Sequence, residues 1–274
     1  MKKLEGAVAV ITGGGSGIGR GMALAFADAG MRVAVADVDE AAALAVRDEL
    51  SSGGASASAF ATDVADRASL EDLAAGVYAE HGAVHLLCNN AGVTTLGPME
   101  SLTDHDWRWV LSVNLDGVIN GLQAFLPRMF AQPGEKHVVN TASIAGIGPF
   151  PELAPYVASK YAVVGISETL RLEGAGRGLG CSVLCPGNTA TRIVSSARNR
   201  PESLGGPDDA ANPQVQRAIE EGMDPLEVGL IVREAVVNDE LYIFTHPETR
   251  KIAERRFRSI LSAYDSAEQR QSGA

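Results

Sequence analysis

Positive charge is scarce in this sequence: Lys and Arg number 23 against 34 Asp and Glu, for a formal net charge of -11. Nucleic acid is therefore excluded as an expected partner, because no cationic stripe is available to neutralise phosphates. Long apolar runs are missing as well. None approaches the length that spans a bilayer, and Met1-Lys2-Lys3 leads into Leu4-Glu5-Gly6 and a strand pattern rather than a secretory core. The expectation is a cytoplasmic protein with no membrane partner. Cysteine is also sparse, and the three present cannot all pair within one chain. Cys181 and Cys185 share one side of an apolar strand and Cys88 ends another, so buried, reduced thiols are expected. His81 and His85 are four apart, but Gly82 and the strand pattern between them break any shared helix face. The other three histidines are scattered, so no metal site is expected.

The chain has 274 residues, enough to bury a sizeable core. Its 30 glycines fall mostly in turns between strands and helices rather than in a repeat. An apolar run over 7–12 reads as a buried strand. It leads into Thr12-Gly13-Gly14-Gly15-Ser16-Gly17-Ile18-Gly19 and a helical pattern that ends at Gly30. A glycine-rich strand-to-helix turn lets the backbone approach a phosphate at the positive helix N-terminus. The loop fits Gly-x-Gly-x-x-Gly in no register, and Arg20-Gly21 stand where a nucleotide triphosphatase needs Lys and Ser or Thr. A purely structural tight turn is the rival reading. The next strand, 32–36, ends in Asp37. An acidic residue ~20 residues after the loop is placed to accept hydrogen bonds from ribose hydroxyls and to repel a 2′-phosphate, which favours NAD over NADP.

The alternation continues with a helix over 39–51, a strand over 56–62 ending at Asp63-Val64, a helix over 67–80 and a strand over 84–88 ending in Asn89-Asn90-Ala91-Gly92. A long helical stretch from about 104 to 131 is expected to bend at Pro127. A strand over 136–142, a helix over 154–173 and a strand over 179–185 follow, the last running into Pro186-Gly187. Strands alternating with helices imply right-handed crossovers and an α/β fold: a doubly wound parallel sheet of about seven strands, with helices on both faces.

Tyr156 and Lys160 stand four apart on the helix over 154–173, on one face, and Ser143 follows the strand before it. A phenol ionises near pH ~10, too high for a base at neutral pH. A cation one turn away favours the phenolate, so the Tyr156 pKa is expected to be pulled down. Such a tyrosine can pass a proton to or from an alcohol or carbonyl oxygen that the serine hydroxyl holds. The bland reading is an exposed i,i+4 pair.

Thr12-Gly13-x-x-x-Gly17-x-Gly19, Asn89-Asn90-Ala91-Gly92, Asn114, Ser143, Tyr156-x-x-x-Lys160 and Pro186-Gly187 stand in one order over residues 5–190. In that order they resemble the compact branch of the short-chain dehydrogenase/reductase family. The resemblance implies a single Rossmann-like domain over 1–274 and hydride transfer between NAD and a secondary alcohol or ketone. It implies Tyr156 as general acid/base, Ser143 as the group orienting the substrate oxygen, and Lys160 as the group that tunes the tyrosine and binds the nicotinamide ribose. Asn114 matches the residue that holds a proton-relay water. Gly13, Ser16, Gly17, Ile18, Gly19 and Asp37 match cofactor positions, as do Asn90, Ala91, Gly92, Pro186, Gly187 and Thr189. Asp63 and Val64 match adenine contacts, and Thr191 the carboxamide contact. Plainer roles are open for three of these: Asn114 kinking its helix, Asn90 capping a strand end, and Asp63 serving as a helix N-cap. His85 departs from the family, which often carries an acidic residue there.

From Asn188 to about Gly222 the sequence is irregular, either a substrate lid or a surface loop. A helix over 225–238 and a strand over 241–244 would finish the sheet. The tail over 245–274, with a helix to about Tyr264, resembles members acting on bulky, often aromatic secondary alcohols. The family also implies a homodimer or homotetramer, built on the helices over 104–131 and 154–173 plus the last strand. The alternatives are a catalytically silent NAD-binding sensor or scaffold, and a reductase for another carbonyl class (steroid, sugar or acyl).

Overall fold

The computed structural model describes residues 1–207 and 213–272. Seven strands form one parallel sheet in the order β3-β2-β1-β4-β5-β6-β7: β1 Val8–Thr12, β2 Arg32–Asp37, β3 Ala57–Ala61, β4 Leu86–Asn89, β5 Lys136–Thr141, β6 Leu179–Cys185 and β7 Tyr242–Phe244. The helices that cross between them are α1 Gly17–Asp28, α2 Glu40–Ser52, α3 Arg67–His81, α4 Asp104–Leu111, α5 Gly117–Ala131, α6 Ala154–Gly174, α7 Pro213–Glu220, α8 Pro225–Asn238 and α9 Arg250–Ser272.

The central strands are buried from end to end, yet their residues alternate between two separate cores. Val8 and Val10 of β1, Leu87 of β4, Val138 of β5 and Cys181, Val183 and Cys185 of β6 pack under α3, α5 and α6, against Leu70, Val118, Phe125 and Val163. Ala9 and Ile11, Leu86 and Cys88, Val139 and Leu184 face the other way, onto Met22 and Phe26 of α1, Val46 of α2 and Val228 and Val232 of α8. Cys181 and Cys185 thus share a side, and all three thiols are free and buried. Burial pushes each of them up.

Capping side chains set several helix starts. Asp39 accepts from the Ala42 N–H and Asp224 from Leu226 N–H. Asp66, not Asp63, caps α3 by accepting from Ala68 N–H, while Asp63 accepts from Ala65 N–H in the turn before it. His85 takes over a backbone duty: its Nδ1 accepts the Val8 N–H at 3.1 Å, tying β1 to the start of β4.

The stretch over 104–131 is not one α-helix. A π turn, Ser112–Asp116, separates α4 from α5, and α5 continues through Pro127 to Ala131. The segment from 188 to 222 holds more structure than expected: a bridge between Thr189 and Met223, 3-10 turns at Ile193–Asn199 and Glu202–Leu204, and α7. Part of that stretch, 208–212, lies outside the described residues, as do 273–274 of the tail. The tail helix runs to Ser272 rather than Tyr264. Among the described residues no helix is long and apolar enough to cross a membrane, and no group of three or more His, Cys, Asp or Glu could hold a metal ion.

Candidate active site

The C-terminal ends of β1, β2, β4, β5 and β6 open into one cleft with a cavity of about 420 Å³. In an open parallel sheet this is the edge where ligands bind, and here the strand order reverses beside β1. At one end lies the glycine turn. Gly13 and Gly17 have φ of 62° and 51°, a region that favours glycine. A Cβ on Gly13 would lie 2.8 Å from the Ala91 Cα. Ser16, the N-cap of α1, makes no side-chain cap bond, and the first turn of α1 carries no acidic residue. The positive helix end is thus left open to an anion.

Asp37 lies beyond this turn at the tip of β2, its Oδ2 accepting the Gly15 N–H at 2.9 Å and its Oδ1 the Asp39 N–H at 3.0 Å. Asp63 and Val64 follow β3 on the same wall. Among the described residues, Arg198, on the far side, donates to backbone and hydroxyl oxygens of Arg192 and Ser195. Burial and the neighbouring Arg192 hold its pKa down, against the pull of Asp37 and Asp39. This donor and acceptor set, with an open helix N-terminus, fits a dinucleotide.

Asn90 knits three strand ends together. Its backbone N–H and amide nitrogen reach the hydroxyl and carbonyl of Thr12, and its Oδ1 accepts from the Thr141 hydroxyl at 3.2 Å. It lines the cleft and caps a strand end at once.

At the other end of the cleft, Ser143 leaves β5 and its hydroxyl accepts the Ala145 N–H. Tyr156 and Lys160, one turn apart on α6, line the cleft with it. The buried Lys160 ammonium donates to the Thr141 carbonyl at 2.8 Å and lies 5.4 Å from the centre of the Tyr156 ring. Burial pulls the Lys160 pKa down to about 8. The expectation for Tyr156 is reversed here. Burial raises its pKa, and the hydrogen bond with Ser143 opposes that rise. The phenol is therefore the resting form in this site.

Asn114 sits in the π turn, fully buried, and its side chain does not line the cleft. Its amide clamps residue 93, accepting from the Val93 N–H at 2.8 Å and donating to the Val93 carbonyl at 2.9 Å. A third bond runs to Ser159, the neighbour of Lys160. Gly92 keeps room there, since a Cβ on it would meet Asn114 Oδ1 at 3.4 Å and Lys160 Nζ at 3.5 Å. Gly19 does not line the cleft either. A Cβ there would lie 2.0 Å from the Gly13 carbonyl oxygen, so this glycine serves close packing within the turn. The remaining expected residues, Gly13, Ser16, Gly17, Ile18, Ala91, Gly92, Pro186, Gly187, Thr189 and Thr191 among them, all line it.

The wall beside Tyr156 went unread in the sequence. Val93, Leu96, Trp109, Phe150, Leu153 and Leu204 line it; Val93 and Leu96 share the loop after β4, Phe150 and Leu153 the loop before α6, Trp109 lies on α4 and Leu204 in a 3-10 turn, so they are scattered along the chain. Ser159 was also missed, although it adjoins Lys160.

The family model described as short chain dehydrogenase matches residues 7–202. The chain is 34% identical to a C alpha-dehydrogenase of Sphingobium sp. strain SYK-6, over all of this chain and 92% of that one. A D-threitol dehydrogenase of Mycolicibacterium smegmatis is 38% identical over 73% of this chain and 76% of its own length. Among solved structures, a short-chain dehydrogenase/reductase from Burkholderia phymatum in complex with NAD superposes with a TM-score of 0.91 at 39% identity, covering 96% of this chain and 97% of that one.

Proposed function

The chain belongs to the short-chain dehydrogenase/reductase family, whose oxidoreductases act on alcohols and ketones, and on that premise we propose that it uses NAD and takes a bulky, aromatic or cyclic secondary alcohol or the matching ketone. The observation that carries this reading is the pairing of Ser143, Tyr156 and Lys160 with the apolar wall of Val93, Leu96, Trp109, Phe150, Leu153 and Leu204. A wall of that kind favours an apolar body beside a single reacting oxygen. The NAD held by the Burkholderia phymatum protein supports the cofactor, and the dehydrogenase names of both relatives support the type of reaction.

Gly13, Ser16, Gly17 and Ile18 would hold the cofactor's diphosphate at the α1 N-terminus, and Asp37 the adenosine ribose. Asp63 and Val64 would flank the adenine. Asn90, Ala91, Gly92, Pro186, Gly187, Thr189 and Thr191 would line the nicotinamide half. Bound there, nicotinamide supplies the hydride acceptor in one direction and the donor in the other. Ser143 holds the substrate oxygen. In oxidation Tyr156, once ionised to the phenolate, takes the hydroxyl proton; in reduction the phenol gives its proton to the carbonyl oxygen. The Lys160 ammonium offsets the burial that otherwise favours the phenol. Asn114 positions Lys160 through Ser159. The turns over 192–207, which carry Leu204 and Arg198 against the cleft, form the lid over the substrate.

A panel of aryl, cyclic and steroid secondary alcohols, assayed with NAD by absorbance of the reduced cofactor, tests this. Turnover confined to small linear polyols would overturn the substrate class. Tight NAD binding with no turnover anywhere would favour the silent sensor.

A further inference from the structure

Arg200, in the lid, and Asp106, on α4, form the most enclosed ion pair among the described residues. Arg200 Nη1 donates to Asp106 Oδ1 at 2.7 Å, and the two side chains are only 12% and 14% exposed. In every other ion pair of those residues at least one side chain is 42% exposed or more. Pairs that open to water hold little in place. This one is braced on both sides. The other Asp106 oxygen accepts from the Thr103 N–H at 2.8 Å and the Thr103 hydroxyl at 2.6 Å, in the capping box of α4. Arg200 Nε donates to the Leu204 carbonyl, and a Cβ on Gly205 would lie 3.3 Å from Nη2.

Neither charged residue lines the cleft, but what they hold does. Trp109 stands three residues after Asp106, on the same face of α4. The Arg200 guanidinium lies 5.2 Å from the centre of its ring, within cation–π reach. Trp109, Val93 and Val110 form a third apolar cluster, apart from the two sheet cores, and Tyr156, Ala197 and Leu204 pack against it. One guanidinium therefore meets the α4 carboxylate, the Leu204 backbone and the Trp109 ring. It joins the α4 side of the apolar wall to the lid side. A planar group with several fixed donors suits that task better than an ammonium would.

We propose that Asp106 and Arg200 set the size of substrate that this enzyme takes, by fixing the Trp109 and Leu204 parts of the wall against each other. Both are positioning residues, since they lie outside the cleft and act through the wall. A large apolar substrate leans on that wall; a small one reaches Ser143 and Tyr156 without it.

The inference rests on the proposed function, so the test reads the wall with substrate and without it. Rates with NAD compare 1-tetralol, a bicyclic secondary alcohol, with 2-butanol in Arg200→Ala, Asp106→Asn and the double variant, each verified as folded by a thermal melt. KM for 1-tetralol should rise about tenfold or more, the usual worth of a pocket contact. Turnover at saturation, KM for 2-butanol and NAD affinity should stay nearly unchanged. The double variant should lose no more than the worse single one, because all three remove the same interaction. Acrylamide quenching in a Trp107→Phe background reads Trp109 alone, and Arg200→Ala should make its fluorescence easier to quench. If the intact enzyme oxidises 1-tetralol and the variants keep its selectivity, the proposal is overturned while the proposed function stands. An equal loss on both alcohols would overturn it too, as a general loosening. If the intact enzyme oxidises neither alcohol, the proposed function fails and quenching decides alone: unchanged Trp109 accessibility overturns the pair as support of the wall, and a rise upholds it.

Discussion

The backbone N–H of Gly15 donates a 2.9 Å hydrogen bond to the Asp37 carboxylate, so the acidic tip of β2 also anchors the glycine turn. One side chain therefore serves two purposes: it shapes the loop that receives a diphosphate and sets the charge that a ribose meets. The other carboxylate oxygen takes the Asp39 N–H, and each oxygen keeps a further lone pair for a hydroxyl.

Cofactor choice should follow from that carboxylate. A 2′-phosphate brought up to Asp37 costs a few kcal/mol in a partly screened site, a factor of ~100 in affinity. Asp37→Ala should narrow the gap between NAD and NADP, mainly by improving NADP, because one of the carboxylates that oppose Arg198 is then gone. NAD should weaken as well, since both the ribose bonds and the Gly15 anchor are lost. Fluorescence titration of each dinucleotide into intact and variant protein reads this directly. Equal affinities in the intact protein would refute Asp37 as the selector.

Tyr156→Phe should lower kcat by ~10²–10⁴, the usual contribution of a positioned acid/base, while NAD affinity stays within about twofold. Burial holds the phenol protonated, so alcohol oxidation should rise with pH through the neutral and alkaline range, as the phenolate fraction grows. Lys160→Met removes the cation that favours the phenolate and should move that rise to higher pH. A pH–rate profile unchanged by the substitution would mean that the proton goes elsewhere.

His137 sets an acid limit on stability. Its ring is fully buried between β5 and its neighbours, Nε2 lying 2.8 Å from the Ser182 hydroxyl and Nδ1, without a hydrogen bond among the described residues, 3.7 Å from the Asp239 carboxylate. Burial, helped by the chain's amino terminus and opposed by Asp239, pulls its pKa down to about 3. The native state binds that proton far less readily than the unfolded chain, whose histidine takes it near pH ~6.5. The stability tied to neutral His137 is thus complete above about pH 6.5 and lost as the pH falls toward 3, amounting to a few kcal/mol at the acid end. Urea melts between pH 7 and 4 should show the loss, and His137→Gln should flatten the slope even if it lowers stability at pH 7. An unchanged slope in that variant would clear His137.

What was legible in the sequence was whatever lies close along the chain. Ser143, Tyr156 and Lys160 fall on one strand end and the helix that follows, so their spacing alone brings them together. The two-sided sheet was equally plain, because Val8 to Ile11 and their counterparts are apolar at every position. The apolar wall was hidden because Val93, Phe150 and Leu204 come from separate irregular connections and Trp109 from the short helix α4, so no shared period links them. The irregularity at Asn114 was legible only as a possible kink, not as a π turn: five residues of altered winding shift a helical pattern too little to see. The direction of the Tyr156 shift was misread because a neighbouring cation can be read from spacing, whereas burial cannot. Asp63 lost the N-cap of α3 to Asp66, three residues on, for want of any sequence signal separating two candidate carboxylates.

The crossing of α1 and α8 supports a prediction in which two effects compete. A Cβ on Gly21 would lie 1.9 Å from the Pro225 carbonyl oxygen, and one on Gly229 would lie 2.2 Å from the Gly21 carbonyl oxygen. Each helix therefore presents bare backbone to the other. Helix propensity alone favours Gly21→Ala by about 1 kcal/mol. The obstacle is main chain rather than a movable side chain, so α8 would have to withdraw, loosening Val228 and Val232 from Met22 and Phe26 in the core they share. Overpacking of that kind costs about 1–3 kcal/mol, and a contact this short belongs at the upper end. The net loss of about 2 kcal/mol should lower Tm by roughly 4–8 °C in a chain of this size. Cofactor affinity should change little, because Gly21 lies outside the cleft lining. A raised Tm for Gly21→Ala would show that the two helices do not cross at backbone contact, and that propensity decides the outcome.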